Sequence, residues 1–277
     1  MSAELKRRIA SALVLAVVVL AATWYGGLWF RVVAAAITVL IYYEWSTITR
    51  LAERDFRTNA FGWLAILLIA VDLVVDDGEL SVPILGGAVI TAILLVLLRR
   101  GSWWLPGGIF YAGLSGISLA AIRADDQAGL VATLFVFAVV WATDILAYFV
   151  GRALKGPKLA PRISPGKTWS GAIGGTVSGV IASSALTLGV FSRLSAWTVA
   201  IAFLLSVASQ VGDLFESFIK RRFGVKDSSH LIPGHGGVMD RVDGLVFACF
   251  AAFLLTLVYT AATGHLDISV AGFLFGF

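Results

Sequence analysis

Residues 128–150 read AGLVATLFVFAVVWATDILAYFV. At about 1.5 Å per residue such a run crosses a hydrocarbon layer of about 30 Å as a helix, and it carries a single charge, Asp144. Lipid offers the backbone no water, so the segment must satisfy its own hydrogen bonds as a helix. Similar runs recur on both sides. They lie at about 9–25, 29–48, 59–75, 81–98, 104–122, 128–150, 171–191, 196–216 and 244–263. Composition agrees: 59% of the 277 residues are apolar and 14% charged, and the mean hydropathy is +0.91. The expectation is an all-α, polytopic integral membrane protein with nine spans. A soluble enzyme is excluded by hydropathy, and the alternating pattern of a membrane barrel is absent. The fifth span is the weakest, because Pro106 and several glycines interrupt it.

Charge orients the spans. With the N-terminus in the cytoplasm, every Lys and Arg of the 21 except Arg31, Arg123 and Arg193 falls in a cytoplasmic segment, and Asp76, Asp77, Glu79, Asp125, Asp126 and Asp267 fall outside, as the positive-inside rule requires. Nine spans then put the C-terminus outside. Lys6, Arg7 and Arg8 before an apolar run resemble a signal peptide. No small-x-small cleavage site follows, and Trp24-Tyr25 suits an interfacial anchor, so this run is read as an uncleaved first span. The lone Cys249 forms no internal disulfide and is read as a small packed hydrophobe.

Most connections are short, but two cytoplasmic loops, 151–170 and 217–243, are long enough to carry function. They divide the chain into an N-terminal transmembrane scaffold, 1–127, and a C-terminal transmembrane catalytic region, 128–277. The second loop reads SFIKRRFGVKDSSHLIPGHGGVMDRVD. So many charges beside hydrocarbon are costly and are kept where they bind or react. Asp213, Glu216 and Lys220 share a face near the end of the eighth helix, and Asp240 and Asp243 open the ninth. Joining those helix ends would gather carboxylates suited to Mg²⁺, which takes one or two of them and completes its shell with water and phosphate oxygens. The plainer reading of Asp213 is a helix-end charge paired with a neighbouring lysine. Basic residues after a span, Lys220, Arg221 and Arg222 among them, set topology. Lys226 and Arg241, each beside an aspartate in a Gly-rich loop, suit phosphate contact. His235-Gly236-Gly237 fits a metal or phosphate ligand, or a turn with positive φ at glycine.

In the other loop, Asp144, Tyr148 and Arg152 share one helical face. An aspartate within a span is a functional hypothesis by default. Ile163-Ser164-Pro165-Gly166-Lys167-Thr168 imitates the end of a P-loop, but Pro161 stands where the first glycine belongs, so that assignment fails. Ser164, Lys167 and Thr168 still offer hydroxyls and a cation to an anion at a helix start.

Together these residues resemble the bacterial phosphatidate cytidylyltransferases, or CDP-diacylglycerol synthases. Their pattern S-x-[apolar]-K-R-x4-K-D-x-[small]-x2-[apolar]-P-x-H-G-G-[apolar]-x-D-R-[apolar]-D is matched from Ser217 to Asp243. Asp144, Ala147, Tyr148, Gly151, Arg152, Ser164, Pro165, Lys167 and Thr168 are similar as well. Trp169-Ser170 replaces an acidic residue that the family often has there, so no carboxylate role is assigned at that point. The match covers about the last 140 residues.

The resemblance implies transfer of the cytidylyl group of CTP to phosphatidic acid, giving CDP-diacylglycerol and pyrophosphate in phospholipid biosynthesis. It implies Mg²⁺ held by Asp213 and Asp240 with Asp144 nearby and Asp243 in support, and a monovalent cation as a second ion. Lys167, Lys226 and Arg241 would bind phosphates, with Ser164, Thr168, Lys220, Arg221, Arg152 and Tyr148 also at the substrates. His235 would orient a group rather than abstract a proton, since the attacking phosphate is already ionised. The implied partners are both substrates, membrane lipid and a second copy in a homodimer, but no nucleic acid. The implied place is the bacterial cytoplasmic membrane with the site facing the cytoplasm. Rivals are a cytidylyltransferase or kinase acting on another lipid phosphate, and an ion-coupled transporter using Asp144. Transport calls for charges along a path from both sides, and here they cluster on one.

Overall fold

The computed structural model describes residues 3–75, 78–232, 234, 236–265 and 268–276, without the side chains of 3–10. It is almost wholly helical. The order is α1 (Ala3–Tyr25), α2 (Gly27–Ile48), α3 (Leu51–Arg54), α4 (Phe56–Val75), α5 (Ser81–Arg99), α6 (Trp104–Arg123), α7 (Gln127–Leu154), β1 (Lys158–Ala160), β2 (Ser164–Thr168), α8 (Trp169–Phe191), α9 (Ala196–Arg222), α10 (Met239–Thr263) and α11 (Val270–Phe275). Eight helices, α2, α4 to α7 and α8 to α10, are long and apolar enough to cross a membrane. The first expected span is apolar over the shorter stretch Ser11–Tyr25.

Two details depart from the sequence reading. The 151–170 loop contains a short antiparallel hairpin within the expected all-α architecture, with Lys158 opposite Thr168 and Ala160 opposite Ser164. α7 and α9 also run on past the apolar stretches to Leu154 and Arg222. Hydropathy marks where hydrocarbon ends, while a helix continues into water on its own hydrogen bonds.

The chain forms two compact units. The first holds residues 1–120 and 222–241. Its α6 is continuous from Trp104 to Arg123 and is the most buried of the eight long helices. The glycines that seemed to interrupt it are contacts: a Cβ on Gly108 would strike Trp45, and one on Gly116 would strike Thr38. Small residues let helices approach closely where lipid gives no hydrophobic drive for association. Tyr42 packs edge-on against Trp63 and donates to Asn59 Oδ1 (3.3 Å), joining α2 to α4. The Trp45 indole donates to the Trp104 carbonyl (2.8 Å), and Trp104 stacks edge-on with Phe223.

The second unit holds residues 121–221 and 242–277. α7 and α8 are antiparallel partners. The buried face of α8 is Gly171, Gly175, Gly179, Ser183 and Thr187, one small residue per turn. A Cβ on Gly171 would strike the Ala147 carbonyl, one on Gly175 the Thr143 carbonyl, and one on Gly179 the Val139 carbonyl. The opposite face, with Ile173, Val177 and Ile181, is exposed as a lipid-facing surface would be. α9 bonds to both, through Thr143–Ser206 hydroxyls (2.8 Å) and Gln210 to Thr176 (2.9 Å).

Candidate active site

The second unit gathers three of the carboxylates and one of the cations singled out above. Asp213 reaches its place because Gly212 precedes it. A side chain at 212 would collide with the Asp243 carbonyl and Phe247, so glycine alone lets α9 approach α10 there. Asp243 stands across that contact and accepts from the Gly244 amide (2.9 Å). Lys167 comes from β2, and its Nζ pairs with Asp213 Oδ2 at 2.5 Å, both half-buried. Asp144, exposed on α7, feels the charges of Asp213, Asp243 and Lys167. Asp243 also feels Lys220. Thr168, next to Lys167, caps α8 by accepting from the Gly171 amide (3.1 Å), which anchors the hairpin end.

Around this cluster the other expected residues sort by contact. Lys220 pairs with buried Glu216 (2.7 Å), so one turn of α9 neutralises its own inward charge. Ser217 lies at the hydrogen-bond limit from Asp213 Oδ1 (3.5 Å). Arg152 donates to the Tyr148 hydroxyl (2.8 Å), both exposed on α7. Ser164 is half-buried on β2, and Arg221 is exposed at the end of α9.

Asp240, Lys226 and Arg241 belong to the first unit. Lys226 and Arg241 are exposed. Asp240 Oδ2 accepts from the Ser228 amide, the Ser228 hydroxyl and the Gly237 amide, each at 2.8 Å. The ring of bonds closes the loop onto the first turn of α10. Gly236 sits in this turn with φ +85°, and a side chain there would press on Asp240. His235 and Pro233 lie outside the described residues.

Glu44 was not anticipated. It lies on α2, within the supposed scaffold, and is fully buried. Its Oε1 accepts from the Ser229 hydroxyl (2.6 Å) and the Val238 amide (2.8 Å). Its Oε2 accepts from the Ser228 hydroxyl (2.9 Å) and the Met239 amide (2.7 Å). Gly237 is squeezed between Ser228 and Glu44, where a Cβ would collide with both. The two glycines of the Gly236-Gly237 pair thus have separate causes, a left-handed turn and a lack of space. The signal was available: an acidic residue in an apolar run, the same rule that singled out Asp144.

Among the described residues, no three His, Cys, Asp or Glu side chains are arranged to enclose a metal ion. The donor set of Asp213 with Asp144 and Asp243, held near a lysine, fits a hard cation bound through one or two carboxylates and completed by water and substrate phosphate.

A family model described as the cytidylyltransferase family matches residues 6–259. A Brucella abortus protein named phosphatidate cytidylyltransferase is 44% identical over 257 residues, covering 92% of this chain and 94% of its own length. Proteins of the same name from Haemophilus influenzae and Pseudomonas aeruginosa are each 35% identical, covering 88% and 90% of this chain and 96% and 97% of their own lengths.

Proposed function

Since the chain belongs to the cytidylyltransferase family, we propose that it is a phosphatidate cytidylyltransferase. An oxygen of the lipid phosphate attacks the α-phosphorus of CTP, the bond from that phosphorus to the β-phosphate bridge breaks, and pyrophosphate leaves. The observation that carries this reading is the Lys167–Asp213 pair beside Asp144 and Asp243, a cation among carboxylates at the end of apolar helices.

Two polyanions must be brought together, so the site has to supply positive charge and alignment, with little covalent work. Lys167 is assigned to substrate phosphates, exchanging its bond to Asp213 for one to phosphate. Lys226 and Arg241, in the loop before α10 and its first turn, are assigned to phosphates by the resemblance. Asp213, with Asp144 and Asp243, would hold Mg²⁺, which when bound shields the phosphate charge. Asp240 is assigned to that ion by the resemblance alone. No general base is required.

An apolar groove of about 1000 Å³ between α8 and α9, lined by Ile173, Val177, Phe203, Val207 and Leu214 among others, suits acyl chains. Leu214 adjoins Asp213 in sequence, so a lipid in that groove would have its phosphate at the charged end. The distribution of Lys and Arg supports a cytoplasmic N-terminus, a site facing the cytoplasm and residence in the inner membrane. A homodimer is part of the same reading.

The test is incubation of purified protein with radiolabelled CTP, phosphatidic acid and Mg²⁺, followed by extraction. Label in the organic phase that requires both lipid and metal supports the reading. Label only with a polyprenyl phosphate keeps the chemistry and replaces the substrate. No label with either lipid, in folded protein, rejects it in favour of transport.

A further inference from the structure

Glu44 is a buried carboxylate with no part in the phosphate or metal chemistry above, yet it makes four bonds to the loop that carries Lys226 and leads to Arg241. We propose that Glu44 is a positioning residue for the transfer reaction: by holding Ser228, Ser229, Val238 and Met239 it fixes the backbone just after Lys226 and just before Arg241, the two phosphate-binding side chains assigned above. The proposal rests on the function proposed above.

Apart from Glu44, the Asp240 carboxylate also ties this loop down, through Ser228 and Gly237. Among its described residues, beyond the Ile232–Gly236 bridge, there is no strand or helix before Met239. The Val238 and Met239 amides open α10, where backbone N–H groups have no intrahelical acceptor. An N–H can only donate, so both oxygens of Glu44 must accept, one from each amide. A glutamine cannot do this, because its NH₂ would face an N–H. The Ser228 hydroxyl contacts both Glu44 and Asp240 (2.9 and 2.8 Å), so α2, the loop and the first turn of α10 form one connected network. Loss of an acceptor at its root moves the groups at its edge, and misplacement of a reacting group by about 1 Å costs up to about 10²-fold in rate.

The test compares wild type, Glu44→Gln and Ser229→Ala in two measurements: steady-state kinetics with CTP and phosphatidic acid, and backbone hydrogen exchange read by mass spectrometry. Ser229 is only partly buried, and its substitution removes a single hydroxyl bond to Glu44. In Glu44→Gln, exchange in the peptide containing Val238 and Met239 should rise about tenfold or more while α7 to α9 exchange as in wild type. The KM for CTP or for the lipid should rise about tenfold, the loss of one charge-assisted contact. Ser229→Ala should shift both readouts in the same direction by less. An inactive unfolded fraction lowers apparent kcat and leaves KM where it was, so the KM shift separates positioning from mere stability. Wild-type KM and loop exchange in both variants overturn the proposal. So does uniformly fast exchange in Glu44→Gln with unchanged kinetics in Ser229→Ala. If wild type transfers no label to phosphatidic acid, the functional reading fails by itself, and exchange in the loop still decides whether Glu44 holds it.

Discussion

At the scale of residues, the Lys167–Asp213 contact separates stability from chemistry. Both side chains are partly open to water, at 26% and 33%, and ion pairs of that exposure contribute about 0–1 kcal/mol to folding. Lys167→Ala should therefore leave the thermal midpoint in detergent within a few degrees and lower kcat/KM by about 10²-fold, the loss expected of one preorganised charge donor. Initial rates beside a thermal melt check it, and near-normal turnover would remove Lys167 from the phosphate site. Asp213→Asn should be equally folded and should bind Mg²⁺ more weakly, shown as a higher metal concentration for half-maximal rate; an unchanged metal dependence would count against its role. Lys167 stood out in the sequence as part of a run that imitates the end of a P-loop, and Asp144 as a charge inside an apolar run. Glu44 breaks the same pattern in Tyr43-Glu44-Trp45, but its partners lie 184 to 195 positions away. Periodicity carries no information about pairing at that range.

At the scale of elements, the seam between α7 and α8 is set by the absence of side chains. Gly175 faces the Thr143 carbonyl and Ala147, whereas Gly189, later on the same helix, has open space where a Cβ would point. Gly175→Val should destabilise the protein by about 3 kcal/mol or more, beyond ordinary overpacking because backbone is in the way. Gly189→Ala should be neutral or gain up to about 1 kcal/mol from helix propensity. Melts of both in one detergent test the seam, and equal midpoints would dismiss it. The sequence reading assigned Gly171, Gly175 and Gly179 no partner, and the carbonyls of α7 that face them supply it. It placed the long helices well, because hydropathy over 20 residues is a strong signal. The β1–β2 hairpin was hidden by Pro165 and Gly166, which read as loop in any window that short. α6 looked broken for a related reason: glycine lowers local propensity, and only the neighbours Trp45 and Thr38 show why it is there.

At the scale of the whole molecule, the bonds from Glu44 to Ser228 and Met239 impose a parity. The end of α2 and the start of α10 must share one side of the membrane, so an even number of crossings separates them. Six long helices, α4, α5, α6, α7, α8 and α9, lie between, which agrees with each of them crossing once, α6 included. Which side it is remains a matter of charge, and the single buried Cys249 makes that measurable. In a Cys249→Ala background, a membrane-impermeant maleimide should label Asp227→Cys only in inverted vesicles and Asp125→Cys only from outside. The reverse pattern would invert the proposed orientation. The same long-range bonds also bear on biogenesis. A chain emerging at about 5–20 residues per second has α2 in the membrane for about 10–40 s before Met239 is made. Throughout that interval the Glu44 carboxylate is without the donors that later surround it. Newly made protein should therefore stay within reach of quality-control proteases until its last third arrives, and chains stalled before residue 228 should be cleared rather than accumulate.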